Sequence, residues 1–140
     1  MSTENRAKYW LDVAEEDMSL AEYIFKGGHW LYTAFMCHQA IEKTLKAYWV
    51  SVRDDEPPYT HSHIKLSDGC GLVDKLSGEQ LRFLDIMIPM NIEARYPDYK
   101  RNVANSLNEK AAKDILDKTK QLLKWIRQQF PETKTNKTES

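Results

Sequence analysis

Apolar residues recur at three- and four-residue steps along most of this chain, and the places where that rhythm stops divide it into helices. Over residues 5–26, Trp10, Val13, Ala14, Ala21 and Ile24 fall in step, with Asp17 on the same stripe. "KGG" then ends the pattern with two glycines suited to left-handed backbone. A second helix is predicted over about residues 29–52, with the stripe Ala34, His38, Ile41, Leu45, Tyr48 and Val52 and with Trp30 at its entry. "RDDEPPYTHSH" reads as a loop, because paired prolines cannot continue a helix. A short helix is expected near residues 64–76, weakened by "SDGCG". Ser77 is the candidate N-cap of a third long helix over about 79–94, where Leu81, Leu84, Ile88 and Ile92 are in step and Pro89 should kink or end it. After "RYPDYKRN", a last helix is predicted over 104–130, with Leu107, Ala111, Ile115, Leu122 and Ile126 on its buried face.

No strand-like alternation and no repeat of 20 to 50 residues interrupts this pattern. The expected fold is therefore all-α: an up-and-down antiparallel four-helix bundle with an additional short helix, spanning residues 1–130. Residues 131–140, "PETKTNKTES", are poor in apolar side chains and are expected to form a disordered polar tail.

Composition places few further limits. The 140 residues suit one core, and 41% hydrophobic with 29% charged residues is an ordinary globular balance. No apolar run is long enough to span a bilayer, and the start, "MSTENRAKYW", does not read as a secretory signal. Cys37 and Cys70 lack CxxC spacing, so the expectation is two free thiols in a reducing cytoplasm, with Cys37 buried. Net charge is -1, yet residues 1–99 carry 10 basic and 16 acidic side chains while residues 100–140 carry 10 and 5. The C-terminal excess reads either as a solvated lysine-rich helix or as a basic face for phosphates or an acidic partner.

Two polar residues, Asp17 and His38, interrupt apolar stripes. A buried carboxylate is costly unless paired. His38, Glu42 and Lys46 follow each other at four-residue steps, so "HQAIEKTLK" carries a polar strip beside its apolar one, with Gln39 and Lys43 adjacent. Three readings compete: a salt-bridged helix edge, a polar cluster tying two helices together, and a ligand or catalytic site in which histidine serves as general base. "THSH" adds His61 and His63, but no third ligand stands nearby and no metal site is expected. There is no Gly-rich phosphate loop, nucleophile elbow or HExxH, so no cofactor is expected either.

Taken together, "AEEDMSLAEYIFKGGHWLYTAFMCHQAIEKTLKAYWV", "PPYTH" and "EARYPD", in that order, resemble the HEPN family, the higher eukaryotes and prokaryotes nucleotide-binding domain. The resemblance covers about residues 5–130 and is closest to the branch with an Arg-Tyr-Pro-Asp motif. Gln39, Glu42 and Lys46 match that branch, as do Ala14, Asp17 and His61. It implies a helical bundle, commonly dimeric, linked to nucleotides or RNA and often partnered by a minimal nucleotidyltransferase as toxin and antitoxin. Active relatives are metal-independent ribonucleases whose motif is an arginine, four to six residues, then a histidine. Here "RNVANSLN" starts with Arg101 and Asn102, but Ser106 stands at the first histidine position and Leu107 and Asn108 follow. Serine cannot supply an imidazole for proton transfer, so no catalytic residue is assigned. The expected function is a non-catalytic nucleotide- or RNA-binding module acting with such a partner; the alternatives are a ribonuclease toxin and a purely structural dimerisation bundle.

The stretch "RYPDYKRN" is the expected ligand surface. Pro97 turns the chain at low entropic cost and should leave Arg95 at a helix C-terminus. Arg95, Lys100 and Arg101 would meet phosphate, Tyr96 or Tyr99 would stack a base, and Asn102 follows the arginine. The competing reading pairs Arg95 with Glu93 or Asp98 in a structural corner. A homodimer is expected because Trp10, Trp30, Tyr32, Tyr48, Trp49 and Trp125 give more aromatic surface than one bundle core readily hides.

Overall fold

The computed structural model describes residues 2–92 and 97–131. Every regular element among them is helical. Helix α1 runs Thr3–Lys26 and α2 Trp30–Val52. They form an antiparallel hairpin closed by a Schellman turn: Gly28 N–H donates to Phe25 O and His29 N–H to Ile24 O. Gly28 takes φ +82°, the left-handed value that favours glycine there. The side of α1 that meets α2 is lined by Ala7, Ala14 and Ala21, buried at seven-residue steps, so the two backbones can approach closely.

After the proline loop come the short α3 (His63–Gly69) and a 3₁₀ turn (Leu72–Lys75). Helix α4 (Gly78–Met87) opens with a full capping box: Ser77 Oγ accepts from Gln80 N–H and Gln80 Oε1 from Ser77 N–H. It ends sooner than its apolar rhythm suggests, passing at Ile88–Met90 into a 3₁₀ turn that holds Pro89, because proline has no N–H to continue the ladder. Ile88, expected on the buried stripe, is half exposed, whereas Ile92 is buried.

The expected single helix over 104–130 is two helices. Helix α5 runs Pro97–Asn105 and α6 Glu109–Gln128. Asn108 separates them: its Oδ1 accepts from Ala111 N–H at 2.8 Å and starts α6 afresh. Pro97 thus opens a helix instead of ending one, in the first position, where a missing N–H costs nothing. The helix N-terminus expected after Arg101 is not there; Lys100 and Arg101 lie inside α5. From residue 132 the expected tail lies outside the described residues.

Helix α2 is the centre of the molecule. Residues 37–42 are buried without a break, on every side of the helix. α1, α3 and α6 pack around it, with the 3₁₀ turn at Pro89 and α5 closing further sides. That encirclement is why a carboxylate and a lysine end up in the interior.

Candidate functional site

Glu42 projects from the middle of α2 and is 1% exposed. Its carboxylate is held from three directions. Oε2 accepts from Lys46 Nζ, one turn on, at 3.1 Å, and more loosely from Lys43 Nζ at 3.5 Å. Oε1 meets His61 Nδ1 at 2.8 Å, from a residue 19 positions away in the proline loop. A carboxylate only accepts, so Nδ1 carries the proton. These partners hold the Glu42 acid below the usual carboxylate range, although burial alone would raise it. Lys46 is buried as well, and its ammonium lies 5.4 Å from the Trp10 ring centroid on α1.

Two histidines lie beneath this cluster. His63, the first residue of α3, donates from Nε2 to the His38 carbonyl at 3.0 Å, and the two ring centroids are 4.0 Å apart. Burial pushes His38 down to about 2 and His63 to about 4, so both are neutral near pH 7. Nδ1 of His38 is buried without a hydrogen-bond partner. On the α1 side, Asp17 is half-buried and no described residue hydrogen-bonds to it or pairs with it. Burial raises its pKa, Lys43 lowers it and Glu42 raises it, so these three groups sense each other.

The structure therefore brings Glu42, Lys46 and His61 into contact, with His38 and Asp17 alongside. Lys43 and His63 complete the group. Spacing marked Lys43 only as a neighbour of the polar strip, and no sequence signal ties His63 to His38.

Arg95 and Tyr96 lie outside the described residues. The third helix, which was to place Arg95 at its C-terminus, ends at Met87. On α5, Tyr99 is half-buried, with its hydroxyl 3.5 Å from Pro89 O, so it packs back on the body of the protein. Lys100 is half-buried, Arg101 and Asn102 are exposed, and neither cation has an ion pair among the described residues. The basic excess expected along the last helix is largely neutralised instead: Lys113 pairs with Asp117, Lys118 with Asp114, Lys120 with Glu22 and Arg127 with Glu15.

The HEPN domain model matches residues 7–129, almost all of this bundle. The chain belongs to the HEPN family. As an HEPN domain it is, in general terms, a nucleotide- or RNA-related module. The same fold occurs in TT1696 from Thermus thermophilus, whose crystal structure aligns at a TM-score of 0.71 and 21% identity, over 89% of this chain and 98% of that one. No curated protein matches this HEPN chain. Ser106, which stands at the first position where the resemblance led one to expect a motif histidine, follows the last residue of α5 and donates its hydroxyl to Val103 O at 2.6 Å. Among the described residues, no helix is long and apolar enough to cross a membrane, and no group of three or more His, Cys, Asp or Glu could hold a metal ion.

Proposed function

We propose that this HEPN domain is a non-catalytic module of the Arg-Tyr-Pro-Asp branch that binds the phosphates of a nucleotide or RNA segment along α5. The observation that carries the reading is the pair Lys100 and Arg101, two cations without an ion pair among the described residues, while most basic residues of α6 have one. A guanidinium presents a planar fork of donors suited to phosphate oxygens. The adjoining Arg95, Tyr96 and Asn102 are the further residues assigned to this surface, with Tyr99 bracing it. Ser106 supports the non-catalytic part, since a hydroxyl already donated to the backbone offers no general base.

The family resemblance adds a minimal nucleotidyltransferase as partner, a homodimer as the working state and residues 1–130 as the acting unit. The two free cysteines accord with a cytoplasmic setting. Binding of a labelled single-stranded RNA, followed by fluorescence anisotropy, tests the reading. Arg101→Ala should weaken binding at least tenfold, because a charge-assisted contact contributes about 1.5–3 kcal/mol and about 1.4 kcal/mol is tenfold. Its melting temperature should not move, since the side chain is exposed and has no ion pair among the described residues. Unchanged affinity overturns the reading. So does cleavage of the RNA in the presence of a chelator if Arg101→Ala abolishes that cleavage.

A further inference from the structure

Helix α1 packs closely on α2 but only sparsely on α6, and two ion pairs cross from one outer helix to the other. Lys120 Nζ reaches Glu22 at 2.7 Å, and Arg127 reaches Glu15 at 2.5 Å. On each helix the paired positions are two turns apart, which sets the two straps about 10 Å apart along the seam. Residues of both pairs line a cavity of about 410 Å³, whose apolar wall comes from Ala14 and Met18 of α1 and Leu123 of α6. That volume suits a small molecule.

Two polar groups of this cavity are unengaged among the described residues. Thr44 lines it from α2 and is 1% exposed, yet its hydroxyl has no hydrogen-bond partner there. A buried hydroxyl normally finds one, as Thr33 does on the same helix by donating to His29 O at 2.8 Å. Lys124 lines the cavity from α6. It is exposed and has no ion pair among the described residues, whereas Lys120 and Arg127 on the same helix are both engaged. With each strap neutral, Lys124 leaves the cavity one net positive charge. A phosphate monoester carries close to two negative charges near neutral pH and would also meet Glu15 and Glu22, whereas a carboxylate carries one. An ammonium at the mouth, an apolar wall and a buried hydroxyl together complement an acid with a short apolar body and a polar far end.

We propose that the cavity between α1 and α6 binds a small monocarboxylic acid. The Lys124 ammonium meets the carboxylate, Ala14, Met18 and Leu123 flank the apolar body, and Thr44 bonds a hydroxyl or carbonyl at the far end. The site shares no residue with the α5 surface and stands or falls independently of it.

Three probes test this on the full chain: para-hydroxyphenylpropanoate, phenylpropanoate, which lacks the hydroxyl, and para-ethylphenol, which lacks the carboxylate. Titrations are followed by backbone amide shifts in NMR spectra. The hydroxylated acid should saturate the wild type and move the amides of Ala14, Thr44 and Leu123. Lys124→Ala should weaken that acid about fivefold and leave para-ethylphenol unchanged. Thr44→Val keeps the side-chain shape; it should weaken the hydroxylated acid about fivefold, to the level of phenylpropanoate, and bind phenylpropanoate as the wild type does. Its melting temperature should not fall, because the hydroxyl has no partner in the fold to lose. Absence of saturation in the wild type, or shifts confined to other residues, overturns the site. Equal affinity of the wild type and Lys124→Ala for the hydroxylated acid overturns the carboxylate assignment. Equal affinity of the wild type and Thr44→Val overturns the hydroxyl contact.

Discussion

At the scale of single residues, the interior of α2 makes the protein sensitive to acid. His38 and His63 are held neutral in the fold, at about 2 and about 4, against an ordinary value of 6.5. Above pH 6.5 the unfolded chain is also neutral at these positions, and they contribute no pH dependence. As pH falls from 6.5 towards 4, the unfolded chain takes up protons that the fold refuses, so stability drops by up to about 1.4 kcal/mol per pH unit for each histidine. Glu42 acts in the same direction: its pKa is lowered in the fold, so its contribution is present above the ordinary carboxylate range and is lost below it. Urea midpoints at about pH 7 and about pH 5 should therefore differ clearly, and His63→Phe should reduce that difference. Glu42→Ala should cost roughly 3–5 kcal/mol near neutral pH, because it leaves the Lys46 ammonium buried without its carboxylate. Lys43→Ala, on the exposed side of the same carboxylate, should cost far less, and chemical denaturation of both variants compares them directly. The four-residue spacing of His38, Glu42 and Lys46 was legible in the sequence. The contact with His61 was not, because nothing local requires a loop residue 19 positions away to fold back on α2.

At the scale of elements, local chemistry sets where most helices begin and end. The glycines after α1, Ser77 before α4 and Asn108 before α6 each satisfy backbone groups that a helix terminus leaves open. Contact between elements is decided elsewhere, and Gly69 shows how. A β-carbon there would run into the Cζ3 and Cη2 atoms of Trp49, a buried ring of α2 against which the end of α3 packs. Arg53 stacks on the same ring at 4.4 Å and also donates to the Gly69 carbonyl at 2.8 Å. Gly69→Ala should therefore destabilise by about 1–3 kcal/mol despite alanine's better helix propensity. Gly78→Ala is the contrasting case: its β-carbon meets only the flexible end of Arg82, at 3.3 Å, at the first position of α4. It should be neutral or stabilising, and thermal melts of the two variants test the contrast. In the sequence both are simply glycines near a helix end.

At the scale of the whole molecule, the aromatic argument for self-association changes its residues. Tyr48 and Trp49 are buried in the core, Trp10 and Trp125 pack partly buried against it, and Trp30 is half-buried with its ring against Phe25. Of the six, Tyr32 on α2 faces outward as expected, and Tyr9, Leu20 and Tyr23 on α1 add further exposed apolar surface. With the homodimer proposed above, sedimentation should give a dimer at tens of micromolar, roughly where a standard interface holds, and Tyr23→Ser with Leu20→Ser should shift it towards monomer. A monomer in the wild type at that concentration overturns the dimer. The sequence by itself determined that the chain is helical, where α1 and α2 lie and that Pro89 stops a helix, because apolar period, glycine and proline act over a few residues. It also carried the family, because the residues that mark it stand in order along nearly the whole chain. Only the tertiary structure decided that the middle of α2, residues 37–42, is enclosed on every side. A pattern of alternating faces cannot reveal this, since the middle of α2 has no face left for water. That enclosure turns Glu42 and Lys46 from an apparent surface strip into a buried pair. It leaves Lys43, His61 and Asp17 partly exposed around that pair.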